Sequence, residues 1–372
     1  MTATACLPDP RGYRVAEDEN ALLRLAGAAC RGDGEARAAL LDRLQRCLAA
    51  EDDAALHEAL AQSSSSRVYG ELWEAICVVA EGREPGGADA IVARPFAIPV
   101  VLVAGARRAL AIPGQLSDVS EIHALLEQHG ALGATRNFGL SADLCPLETL
   151  ERFGPSRVFR WNRAYAGAIP EDISGSPIEV GAGREQAHLR FLVGAGITAA
   201  HLPSFLETGS NIGNWGAAFT RTVARQLAQS GLELLPLARP PAGLLRAAHC
   251  GRRAVIETAF HLFASHALRL CRMTAGEPVV VLSAHQGSAA AELRVSVSSI
   301  LDDALLEGFS WPLHPADDLG AIVTTVAWLL EASRVTDLRV VPEVVSGEHA
   351  PDEPRFLSAR TFDRGSWAQR SH

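Results

Sequence analysis

The chain has 372 residues, 48% of them hydrophobic and 21% charged, a composition that can bury sizeable cores and excludes a disordered chain. At roughly 150 residues per domain the length fits two or three domains. The formal charge of -9 argues against a dominant role in neutralising nucleic-acid phosphates.

All 34 basic residues are arginine. A lysine Schiff base, and with it lysine-anchored pyridoxal phosphate, is therefore ruled out, as is a P-loop lysine. The bias fits the coding habits of a GC-rich bacterial genome; escape from ubiquitin-like tagging is the alternative. The seven cysteines are scattered and never form C-x-x-C, the pattern of small buried thiols in a reducing compartment. Met1 to Arg14 contains no apolar signal-peptide region, and no apolar run reaches the roughly 18 residues of a membrane span. A cytoplasmic protein without membrane contact is expected.

In chain order, Glu19–Arg31, Glu35–Ala50, Asp52–Gln62 and Val68–Glu81 read as helices. Leu40, Leu41, Leu44, Cys47 and Leu48 share one face, and Tyr69, Leu72, Trp73, Ile76 and Cys77 another. Gly82 to Gly87, with Pro85 inside, marks a boundary, so residues 1–82 form a small helical unit. A mixed α/β domain is expected over 88–345. Ala97–Ala104 and Ala109–Ile112 read as a hairpin about Gly105–Arg108, and Asp118-x-x-Glu121 as a capping box. The Gly- and Pro-rich stretch 166–183 is a long loop or a sub-boundary.

Trp215, Phe219, Val223 and Leu227 recur every fourth residue and predict a helix over Asn214–Gln229. Pro236, Pro240 and Pro241 suggest a rigid connector, followed by a mostly helical stretch over Leu244–Leu270, broken at Gly251. The clearest module is Glu277–Val345, read as strand, strand, short helix, helix, strand. Val279–Leu282 is an unbroken apolar run, and Leu293, Val295 and Val297 alternate with Glu292, Arg294, Ser296 and Ser298. Asp317 and Asp318 open a helix with Leu319, Ile322, Val323, Val326, Leu329 and Leu330 on one face. The last apolar run contains Pro342 and suggests an edge strand. Residues 346–372 read as a poorly ordered tail. The fold class is mixed, α+β or α/β, with a mixed sheet covered by helices.

Four constellations could carry chemistry. Gly209–Gly216 feeds a helix bearing Arg221 and Arg225, so the backbone around Gly213 and Asn214 is a candidate anion site; a plain turn and helix cap is the alternative. The nearby Val193-Gly194-Ala195-Gly196 lacks the third glycine of a dinucleotide fingerprint. Arg152, Arg157, Arg160 and Arg163 interleave with Phe153, Phe159 and Trp161, a pattern that could track nucleic acid or form a strand with ion-paired arginines.

His285, Asp302, Asp303, His314, Asp317 and Asp318 fall at strand ends and a helix start. His285, His314, Asp303 and Asp317 are the catalytic candidates, with no metal-ligand spacing among them and helix capping as the architectural account of the aspartates. Glu257 and His261 stand four apart, as an acid–base couple or a surface pair. No G-x-S-x-G elbow is present. The first expectation is an accessory or assembly protein that binds other protein chains, itself among them, with no cofactor. An enzyme acting on a phosphorylated or other anionic small molecule is the alternative, and nucleic-acid binding through Arg152–Arg163 comes third.

Overall fold

The structure, a computed structural model, describes residues 20–82, 91–163, 169, 173–199, 209–274, 276–286, 291–301, 304–342, 344–346 and 356–364. The fold is α+β. Its contacts group into two units: one comprises Ala16–Gln62 and Glu71–Ala259, the other Ser63–Gly70 and Phe260–His372 together with the N-terminal residues. The expected boundary at Gly82–Gly87 falls almost wholly outside the described residues.

The first unit begins with helices α1 (Ala21–Cys30), α2 (Gly34–Ala49) and α3 (Asp53–Ala61); α4 (Ser66–Glu81) contributes residues to both units. Asn20, Asp33 and Asp52 cap the first three, each side chain accepting a backbone N–H of the first turn. Next come β1 (Ile91–Ala106), β2 (Leu110–Ile112), α5 (Ser120–Gln128), β3 (Arg136–Cys145), α6 (Leu147–Glu151), α7 (Pro155–Arg163), β4 (Ile178–Val180), β5 (Gln186–Ala199), α8 (Ile212–Leu227) and β6 (Leu232–Ala238). The antiparallel main sheet has the order β3-β5-β1-β6.

One face of that sheet packs Phe96, Ile98, Val100 and Leu102 against Ile122 and Leu126 of α5 and Trp215, Phe219, Val223 and Leu227 of α8. The four predicted α8 positions are therefore its buried stripe. Prolines 95 and 99 sit within β1, yet β6 pairs only with Val100–Ala106. On that side Ala97 and Ala242 exchange bonds and the Pro99 carbonyl accepts from Arg239 N–H, so the missing proline donors face the end of the ladder, where their cost is low.

Four local expectations are corrected here. The hairpin about Gly105–Arg108 does not form: β1 pairs with β5 and β6, and β2 pairs with β4. Asp118 bonds the backbone and hydroxyl of Ser120 in a local turn, and Glu121 pairs with Arg225 rather than closing a capping box. Pro236 lies inside strand β6. Helix α9 (Leu244–Thr274) runs unbroken through Gly251; a Cβ there would stand 2.8 Å from the Phe191 ring, so this glycine serves close helix–sheet packing.

The second unit continues from α9 with β7 (Pro278–Gln286), β8 (Ala291–Ser299), β9 (Leu305–Pro312), α10 (Leu319–Ala332), β10 (Asp337–Val340), β11 (Val345–Ser346) and α11 (Ala359–Arg364). The sheet order is β10-β7-β8-β9. The first pair is parallel and the rest antiparallel, and β11 also runs parallel to β7. Strand β9 replaces the expected short helix, while β10 is an edge strand as expected.

Helix α10 buries all six predicted positions, and Asp318 caps it by accepting from Ala321 N–H at 3.2 Å. Phe260 of α9 meets Phe309 edge-on, Phe263 lies tilted against the same ring, and Phe260 also meets Trp311. Within the stretch expected to be a poorly ordered tail, residues 356–364 are described: they lie against β7 and β8 and end in α11. Among the described residues no helix is long and apolar enough to cross a membrane.

Candidate functional site

Of the predicted catalytic residues, His285 and Asp317 are buried and His314 is half-buried. His285, on β7, is 3% exposed, and its Nε2 lies 2.8 Å from the Ser283 hydroxyl, itself buried. Two residues apart on one strand, the pair points to one face and satisfies two polar groups out of water. In register across the sheet stand Glu292 and Arg294, ion-paired to each other, and Ser310, which donates to Glu292.

His314 belongs to a different arrangement. Its backbone N–H donates to Asp317 Oδ2 at 2.8 Å, its Nδ1 accepts from Ala316 N–H at 3.2 Å, and its ring meets Tyr69 edge-on at 5.7 Å. Asp317 thus closes the turn before α10. Asp302 and Asp303 lie outside the described residues. Among the described residues no group of three or more His, Cys, Asp or Glu side chains is placed to hold a metal ion.

The predicted anion site does not assemble on one turn. Asn211 caps α8 and its side chain accepts from Gly213 N–H at 2.9 Å, while Asn214 N–H donates to the Asn211 carbonyl. At 1.5 Å rise per residue, Arg221 and Arg225 stand about 12 and about 18 Å further along the axis. Arg225 pairs there with Glu121.

Most of the arginine–aromatic stretch is helix α7, which corrects the expected strand: Val158, Phe159, Trp161 and Asn162 turn inward together. Arg157 lies over the Phe153 ring, Arg163 over Phe159, and Arg160 pairs with Glu51. Glu257 pairs with Arg253 and Arg239 instead of His261. Val193–Gly196 lies inside β5, where a Cβ at Gly194 would overlap the Phe96 ring, so the glycines serve packing.

Two features correspond to no sequence motif. Gly243 precedes α9 and offers no side chain to cap it. The carboxylate of Glu81, at the end of α4, fills that role, accepting from Leu245 N–H at 2.5 Å and Arg246 N–H at 3.3 Å. Arg246 donates to Glu81 at 3.3 Å and to Glu74 at 2.6 Å. Burial raises the Glu81 carboxyl from 4.5 to about 7, against the opposing pull of Arg246 and the two backbone bonds. The signal in the sequence was a helix start without a Ser, Thr, Asp or Asn cap.

The second feature is apolar. Met273 is 78% exposed, Leu301 76%, Trp328 64% and Ile300 53%, all in the second unit. Ile300 and Leu301 lie against Gly276, just past Met273 and the end of α9, and Trp328 lies on α10. Ile300 N–H donates to the Glu277 carbonyl at 3.1 Å, holding the β8–β9 turn beside the end of α9. Arg272 donates to the carbonyls of Ser333 and Arg334, tying the end of α10 to the same place. Large side chains left in water together mark a contact surface more often than a chance of composition.

The class that the fold defines is an α+β protein with two larger sheets, the two-stranded β2-β4 sheet and exposed apolar side chains on its second unit. No family model matches the chain, and no curated protein or solved structure matches it.

Proposed function

We propose that this protein acts by binding other protein chains, as a cytoplasmic, bacterial accessory or assembly factor without catalysis of its own. The observation that carries the reading is the exposure of Met273, Ile300 and Leu301 about the end of α9, with Trp328 also exposed on α10. Such side chains cost free energy in water and regain it when a partner covers them. The closed surroundings of Ser283 and His285 fit the same reading, because a buried, mutually satisfied pair has an architectural role.

The test is a variant carrying Met273→Glu, Leu301→Glu and Trp328→Glu. Cross-linking in native extracts identifies the chains that touch these side chains, and their affinities are then measured with purified proteins. Loss of those partners by a variant that unfolds at the wild-type denaturant concentration is expected. Partners bound with unchanged affinity by the variant would refute the reading.

A further inference from the structure

A strand at the edge of a sheet presents unpaired main-chain groups, and folded proteins usually block such edges. The two larger sheets end in β3 and β6, and in β10 and β9. Three of these edges are closed. Along β3, Leu116 N–H donates to the Ala142 carbonyl and Leu144 N–H to the Gly114 carbonyl, both at 2.8 Å, so residues 114–116 lie on that edge. In β6, Pro236 has no N–H, and its carbonyl accepts from the Thr220 hydroxyl at 2.9 Å. Strand β10 and its neighbour β11 are only four and two residues long.

Strand β9 differs. It has eight residues and no proline before its last position. Leu313 N–H donates to the Ala291 carbonyl at 2.9 Å. Bonded pairs recur at every second residue of an antiparallel ladder. Phe309 and Trp311 therefore turn their main chain to β8, while Gly308, Ser310 and Pro312 turn theirs outward. The register shift opposite Val297 and Ser298 ends before Gly308, so this stretch is regular. Gly308 and Ser310 each offer an N–H and a carbonyl on the outer side, and Pro312 a carbonyl. No hydrogen bond among the described residues reaches these groups.

Such a row selects its ligand by shape. Gly308 and Ser310 repeat at about 6.8 Å, twice the rise of an antiparallel strand, a spacing that extended main chain matches. The neighbouring side chains add a preference. Phe309 is half-buried and lies against Phe260 and Phe263, so a further strand sets one of its side chains beside an aromatic ring.

We infer that the outer edge of β9, from Gly308 to Pro312, takes an extended segment of a partner protein as an added antiparallel strand, with an apolar side chain beside Phe309. Antiparallel pairing continues the alternation of β7, β8 and β9. The inference names the kind of ligand that the proposed function leaves open, and it uses none of Met273, Ile300, Leu301 and Trp328, so the two fail separately.

The test uses the full chain and a randomised library of phage-displayed octapeptides. The wild type should enrich sequences with apolar residues at alternate positions. Ser310→Pro removes an outward N–H and leaves the bonds to β8 in place, so it should bind the enriched peptide roughly 10-fold or more weakly while unfolding near the wild-type urea concentration. Ser310→Ala keeps the main chain and should bind as the wild type does. On the wild type, N-methylation of the peptide at the residues between the apolar ones should abolish binding, and N-methylation at the apolar ones should not.

Hydrogen exchange locates the contact: the Gly308 and Ser310 amides should exchange fast in the free chain and slow down with peptide bound, whereas those of Phe309 and Trp311 are slow in both. No enrichment, equal binding by folded Ser310→Pro, or binding indifferent to the position of N-methylation overturns the inference. If Ser310→Pro does not fold, the N-methylated peptides and the exchange pattern decide on the wild type alone. Self-association of the wild type that Ser310→Pro abolishes makes a second copy the occupant and overturns the partner protein.

Discussion

Glu81 couples this fold to pH in a direction opposite to that of most carboxylates, and the size of the effect follows from its surroundings. Its side chain is 5% exposed, it caps α9 and it shares Arg246 with Glu74. Burial outweighs these favourable contacts and raises its carboxyl from 4.5 to about 7. Between those values the folded chain holds a proton that the unfolded chain has lost. Stability from this group is therefore fully present below pH 4.5 and declines as pH rises, until it is gone above about pH 7. A difference of about 2.5 units at 1.36 kcal/mol each is about 3 kcal/mol.

Glu81→Gln keeps an oxygen for Leu245 N–H and leaves Arg246 its bond to Glu74, but cannot titrate. Urea unfolding of both chains, from about pH 4 to about pH 8, should show the wild type losing about 3 kcal/mol relative to the variant across the range. Parallel profiles would refute the reasoning, because they would mean that the buried carboxylate is ionised throughout at no cost.

Gly243→Ala places a methyl group against the Glu81 carboxylate and displaces the cap. Denaturant unfolding should register a loss of about 1–3 kcal/mol, the cost of leaving buried donors without an acceptor. Asp318→Ala and Asn211→Ala each remove a helix cap and should each cost about 1 kcal/mol by the same measurement. For Gly194→Val the overlap with Phe96 predicts a loss of about 3 kcal/mol or more. A wild-type melting curve for that variant would return Val193–Gly196 to candidacy as a ligand loop.

Periodicity was informative where one face of an element meets a core. The six inward positions of α10 and the four of α8 repeat at helical spacing because each helix buries a single stripe. It failed where two periods coincide. Arg157, Phe159 and Trp161 alternate over too few residues to distinguish a strand from the helix that turns Val158, Phe159, Trp161 and Asn162 inward. It also failed across distance, since Glu81 caps a helix that starts 163 residues later and nothing near Gly243 names its partner.

The same limit governs the histidine candidates. Alternation along β8 says which side chains share a face, but not whether that face meets water. Arg294, Ser296 and Ser298 are polar and still buried, because Leu357 and Ala359, about sixty residues away, bring the main-chain groups that satisfy two of them. A polar residue at a strand end therefore has two physical explanations, a reactive group held for substrate or a group satisfied by a distant neighbour. Sequence spacing is identical in both. For His285 the deciding fact is the Ser283 hydroxyl at 2.8 Å inside a closed face. For His314 it is the Asp317 carboxylate that accepts from the His314 backbone N–H and leaves the ring to Tyr69 and the Ala316 amide. In each case the partner fulfils an architectural requirement that spacing along the chain does not reveal.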